Sequence, residues 1–167
     1  SNPIINKDVT INILTTSSEI RDTLFLIGLK GSGYLNINYH KNCIHRSPGT
    51  GNWCIYMARL QLPVRIAGGR TAYNSNDGAI LCDAGNGQGI AVYDCTYANI
   101  TQININCRNW GIRVSNSKVR GSNIDFCDSS NAYQLESMSI VSERDSVGNC
   151  TSFFRLYDGS IFTYGGS

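Results

Sequence analysis

The chain has 167 residues, enough for one domain with a sizeable core, and 16% of them are charged. Its net charge is +2, with no run of Lys or Arg, so electrostatics gives no argument for a nucleic-acid or anionic-membrane partner, and neither is expected. Eighteen Asn, 18 Ser, 17 Gly and 19 Ile against 3 Pro combine turn formers with β-branched residues, and that mixture predicts an all-β fold.

In chain order the strand-like phrases begin with VTINIL (9–14), LFLIGL (24–29), YLNINY (34–39) and WCIYMARLQLPVRIAG (53–68). AILCD (79–83), GIAVYD (89–94), ITQININC (100–107), GIRVS (111–115) and NIDFC (123–127) follow. MSIVS (138–142), FFRLY (153–157) and SIFTYG (160–165) complete the series. Each closes on Gly, Asn, Ser or Asp, or on the next polar turn, and no window shows helical spacing. LFLIGL is the longest apolar stretch and falls far short of the roughly 20 residues a spanning helix needs, so no membrane insertion is expected. The first ten residues, SNPIINKDVT, carry no basic and apolar targeting segment. Seven cysteines, an odd number, lie largely inside apolar phrases, which predicts reduced, buried thiols rather than a disulfide framework.

The central block repeats. Gly89-Ile90-x-Val92 returns as Gly111-Ile112-x-Val114, and Ile103-x-Ile105 returns as Ile124-x-Phe126, at offsets of 22 and 21 residues. A short period filled with strands and turns is the pattern of a solenoid whose units stack, and its all-strand form is the parallel β-helix. Alternation then places Ile90 over Ile112, Val92 over Val114, Ile103 over Ile124 and Ile105 over Phe126 inside. It leaves Gln102, Asn104, Asn106, Asn123, Asp125 and Arg113 outside, with Asp94 over Asn116 at a strand end. Insertions over roughly 40–52 and 71–77 read as corner loops. No linker or charge run divides the chain, so residues 1–167 are expected to form one domain, a piece of a longer polypeptide.

The phrase order Gly-Ile-x-Val-x-Asp, Asn-Ile with an alternating strand, Gly-Ile-x-Val-x-Asn-Ser-Lys-Val, Val-Gly-Asn and Leu-Tyr-Asp-Gly-Ser-Ile-Phe-Thr-Tyr-Gly-Gly resembles the β-helical region of phage tail proteins. These are the tail fibres, tailspikes and neck appendages of phages infecting Gram-positive bacteria, of pectate-lyase-like type. The resemblance covers about residues 20–167 and is strongest from 78 onward. It implies a right-handed parallel β-helix, usually a homotrimer, assembled in the host cytoplasm and carried on the virion. It further implies attachment to a host cell-wall polysaccharide or teichoic acid.

Three chemistries are open on the residues. Glycoside hydrolysis needs two carboxyl groups, about 5 Å apart for retention and further for inversion. Asp83, Asp94 and Asp125 are the candidate catalytic acids, although Asp at strand ends also serves as a turn former. A lyase would need a base and a group that neutralises a uronate, for which Arg113 and Arg120 beside Asp125 are candidates. Sugar binding asks for aromatic faces and planar amides: Trp110 and Tyr97 with Asn104, Asn106 and Arg113 supply them, with Trp53 and Tyr93 as further aromatics. His40, Cys43, His45 and Cys54 share a loop but match no common zinc spacing; no metal site and no cofactor is expected. A purely structural shaft without a binding site is the remaining alternative.

Overall fold

The computed structural model describes residues 3–14, 19–71, 78–81, 87–127, 130–144 and 146–165. Among these the fold is all-β, with seventeen strands, two sheets and no helix. The larger sheet runs β1 (Val9–Ile13), β4 (Leu35–Tyr39), β7 (Pro63–Ala67), β10 (Tyr97–Asn106), β12 (Lys118–Cys127), β14 (Ile140–Arg144) and β17 (Ile161–Gly165). β2 (Ile20–Arg21), β5 (Ile44–Arg46), β8 (Ile80–Leu81) and β15 (Val147–Asn149) join beside that path. The smaller sheet runs β3 (Leu24–Ile27), β6 (Trp53–Ala58), β9 (Gln88–Tyr93), β11 (Trp110–Ser115), β13 (Asn131–Glu136) and β16 (Ser152–Leu156). Every strand pairing is parallel, which is consistent with a solenoid.

The repeat seen in the sequence is the strand register. Ile90 and Val92 pair with Ile112 and Val114, and Ile103 and Ile105 with Ile124 and Phe126. All eight side chains are fully buried and belong to one continuous core between the sheets. Like groups therefore stack on like groups along the molecule, the arrangement that removes most apolar area per residue when each strand contributes only two or three inward positions. Cys43, Cys54, Cys95 and Cys107 are buried in this core as thiols outside any disulfide, and Cys150 is a half-buried one. Burial pushes the Cys95 thiol up to about 11.

Left-handed residues make the corners. After the strands of the smaller sheet come Gly28, Arg59, Asp94, Asn116 and Ser137, with φ of 69°, 55°, 52°, 46° and 53°. Each of the first four donates its backbone N–H to the strand end above: Gly28 to Ala58, Arg59 to Tyr93, Asp94 to Ser115 and Asn116 to Glu136. Asn and Asp tolerate this region best among residues with a Cβ. The Asn116 amide also donates to the Asp94 carboxylate at 2.9 Å, the side-chain ladder expected at this strand end.

A second pair of corners lies inside β10 and β12. Gln102 and Asn123 take φ of 55° and 53° and drop out of the ladder between Thr101–Ser122 and Ile103–Ile124. Before the bend β10 pairs with β7 and β12 with β14; after it β10 pairs with β8 and β12 with β15. The bend also shifts the alternation, so that Ala98 and Ile100 face inward before it and Ile103 and Ile105 after it.

Candidate functional site

The expected carbohydrate-binding residues fall on different surfaces. Trp110 and Arg113 lie on β11 in the smaller sheet, Tyr97 opens β10, and Asn104 and Asn106 follow the bend in β10. Asn104 is outward but only 6% exposed, and its amide donates to the Gly78 carbonyl at 3.1 Å. It serves the Gly78 carbonyl rather than an open face, and most of the insertion expected at 71–77 lies outside the described residues. Asn106 is half-buried at the end of the same strand.

Trp110 and Arg113 belong to an aromatic surface on the outside of the smaller sheet. The Trp53 and Trp110 indoles lie nearly parallel, 16° apart with centroids at 6.2 Å, and Gln88 on the intervening strand is 7% exposed. The Arg113 guanidinium sits 4.9 Å from the Trp110 centroid and 5.9 Å from that of Tyr93. Tyr93 continues the row to Tyr56 at 5.6 Å and Phe25 at 5.8 Å. Arg113 also donates to both carboxylate oxygens of Glu136 at 2.9 Å, and Gln134 donates to the same carboxylate. Burial works to raise the Glu136 carboxyl, but the Arg113 and Gln134 bonds and the Arg113 charge outweigh it and hold the group below its ordinary range. Burial raises Tyr93. Arg113 is thus held between an aromatic face and a carboxylate, a cation over a ring with a fixed anionic partner. Glu136 was not singled out in the sequence; the pairing of β11 with β13, one further repeat along, is the signal that finds it.

The two described catalytic candidates, Asp94 and Asp125, do not form a pair. Asp94 is exposed at its corner, bonded to Asn116, with Lys30, Arg59 and Gln61 around a shallow recess. Asp125 lies after the bend in β12, on the other sheet, with its side chain 20% exposed and 3.5 Å from the wholly buried Arg70 guanidinium. Arg70, missed in the sequence, is its cation. Arg113 and Arg120 are not beside Asp125, because one is on the smaller sheet and the other precedes the bend that redirects the strand. Asp83 lies outside the described residues. In the expected Cys/His loop, His45 is committed to structure: one ring nitrogen bonds the Tyr39 hydroxyl at 2.7 Å and the other the Asp22 carbonyl at 2.7 Å. Cys54 donates to the His45 carbonyl. Among the described residues no three His, Cys, Asp or Glu side chains are grouped to hold a metal ion.

A buried carboxylate also escaped the sequence reading. Val141 and Glu143 are the inward residues of β14, and Glu143 accepts from the Tyr133 hydroxyl, the Ser146 hydroxyl and the Arg144 backbone N–H. Gly121 lies opposite it in the ladder, where a Cβ would overlap the Glu143 carboxylate and the Tyr133 hydroxyl. Carrying the 22-residue offset from Val119 to Val141 puts Glu143 under Gly121, the one signal that reveals it. Burial, then the Glu143 charge, pushes the Tyr133 hydroxyl well above its ordinary value.

No family model matches the chain, and neither a curated protein nor a solved structure matches it.

Proposed function

We propose that the chain is a right-handed parallel β-helix segment of a phage tail fibre or tailspike, assembled as a homotrimer in the host cytoplasm and mounted on the virion. Its task in this reading is attachment to a host cell-surface glycan, either a wall polysaccharide or a teichoic acid. The observation that carries the reading is the Trp53–Trp110 pair with Arg113 fixed over Trp110 by Glu136. Indole faces stack on the apolar side of a pyranose, and a guanidinium held in plane donates to its hydroxyls. Parallel strands with stacked core residues support the coil architecture, and buried thiols outside any disulfide suit folding in a reducing compartment.

The test is retention of the protein on purified wall polymer from candidate hosts, with release of reducing ends or unsaturated products measured in the same incubation. Attachment predicts retention without product, and a loss of about tenfold or more in affinity for Trp110→Ala, since buried aromatic anchors dominate such contacts. New reducing ends or unsaturated products would replace attachment by hydrolysis or elimination. Undiminished retention of Trp110→Ala would remove the aromatic surface from the argument. Sedimentation that finds a stable monomer would overturn the trimer.

A further inference from the structure

The outer face of the larger sheet before the bend is a different surface. Its described outward positions are, strand by strand, Thr10 and Asn12; Asn36 and Asn38; Arg65; Tyr97, Asn99 and Thr101; Lys118, Arg120 and Ser122; Ile140, Ser142 and Arg144; Ile161 and Thr163, together with Pro63, Ala67 and Gly165. Across seven strands it holds four cations and no acid. Glu143, the one acid of those strands before the bend, is turned into the core and bonded there by Tyr133 and Ser146, and Asp125 follows the bend in β12. The register aligns Asn36, Arg65, Asn99, Arg120, Ser142 and Thr163 in one row along the stack. Neighbouring strands are about 4.8 Å apart, so Arg65 and Arg120 stand about 10 Å from each other along this row. Arg65, Lys118 and Arg120 are exposed and make no ion pair among the described residues. Near Lys118, Arg120 and Arg144 the surface sinks into a cleft of about 520 Å³ lined by Tyr97 and Tyr164, with the buried Glu143 in its lining.

We infer that this face binds an extended anionic carbohydrate polymer, laid along the stack, through its carboxylate or phosphate oxygens. Lys118 and Arg120, two residues apart on β12, point to the same side and meet one anionic group together, and Arg65 meets the next. Asn36, Asn99, Ser142 and Thr163 between and beyond them are donors and acceptors suited to the hydroxyls that separate charges on a polyol or sugar chain. Nucleic acid fits less well, because successive bases need successive stacking platforms and the cleft offers two tyrosines three strands apart. The overall charge of +2 conceals the face, since none of its described outward positions is an acid.

The inference stands apart from the aromatic surface, and its test separates the two. The whole chain is titrated with polygalacturonate, poly(glycerol phosphate), neutral dextran and a single-stranded DNA oligonucleotide at low salt. The expected result is binding to polygalacturonate or poly(glycerol phosphate), whichever carries the matching anion, and none to dextran. For about three neutralised charges, raising salt from about 50 to about 200 mM weakens binding about twentyfold to fortyfold by counterion release. The double variant Lys118→Gln, Arg120→Gln, both at exposed sites, loses about tenfold or more in affinity with an unchanged circular dichroism spectrum. In a Trp110→Ala background, altered on the other sheet, the salt dependence and the loss caused by the double variant persist. Failure to bind either anionic polymer, equal binding by the double variant, or DNA binding as tight as the polymers overturns the inference. A loss in Trp110→Ala alone would assign the polymer to the aromatic surface instead.

Discussion

At the residue scale, charge placement follows from what each ionised group finds around it. Glu143 is tolerated in the core because a hydroxyl from the opposite sheet, a serine hydroxyl and a backbone N–H converge on it, and because Gly121 leaves it room. Glu136 is the surface counterpart: its carboxylate is bidentate to Arg113 and lies 23% exposed, so solvent screens the pair. Its folded carboxyl is held below the ordinary value of 4.5, so the ionised form is the one that favours folding. The stability it contributes is therefore present above that value and fades as pH falls through the lower folded one. Glu136→Gln is expected to cost about 0.2–1 kcal/mol at pH 7, the range for exposed pairs. Urea unfolding of the two proteins checks this: their difference shrinks as pH falls below 4.5, and a difference that is constant with pH contradicts the ionic account.

At the scale of the strand and its corner, two rules operate together. Inside a strand alternation puts Ile112 and Val114 in the core and Arg113 and Ser115 outside. At its end a left-handed residue turns the chain and hands its N–H to the neighbouring coil. Asn116, with φ of 46°, occupies such a corner and bonds Asp94. Asn116→Gly keeps the backbone and loses only this exposed bond, so a loss of about 1 kcal/mol or less is expected. Asn116→Val forces a β-branched residue into the left-handed region and costs about 1–2 kcal/mol more. Thermal or chemical unfolding of both variants gives the order, and Val tolerated as well as Gly would mean that the corner relaxes to another conformation. The repeat phrases and this corner were legible because both depend on residues within one period. The bend at Gln102 was not, because glutamine has no strong preference for positive φ and the ladder alone imposes it.

For the whole molecule, stability is a chain of nearest-neighbour contacts, with each coil held by those on its two sides. Among the described residues β1, β3, β16 and β17 pair on one side only, and Val9, Ile11, Phe25, Phe154, Leu156 and Ile161 there are exposed. Opening is therefore expected from the ends inward. Native alkylation at pH 8 followed by peptide mapping tests this at the described cysteines. Cys150, half-buried near the last strands, is expected to react first, and Cys54, Cys95 and Cys107 in the interior far more slowly. Cys95 is held back further by its thiol value of about 11. Labelling of Cys107 as fast as Cys150 would indicate global rather than end-on opening.

The sequence by itself determined the all-β class, the 21- and 22-residue registers, the stacked pairs from Ile90–Ile112 to Ile105–Phe126, and the Asp94–Asn116 contact. Each of these follows from patterns confined to one strand and its next repetition. Only the tertiary structure decided that Asp125 meets Arg70, that Arg113 meets Glu136 and Trp110, and that Glu143 turns inward. It alone gathered Arg65, Lys118 and Arg120 on a face whose described outward positions carry no acid. The physical reason is that insertions of unequal length separate the earlier coils. Val64 pairs with Leu35 and with Ala98, offsets of 29 and 34, so no single period brings those side chains together. Left-handed corners also reset which side of a strand faces the core, and a charged side chain takes its place from the neighbours that then surround it.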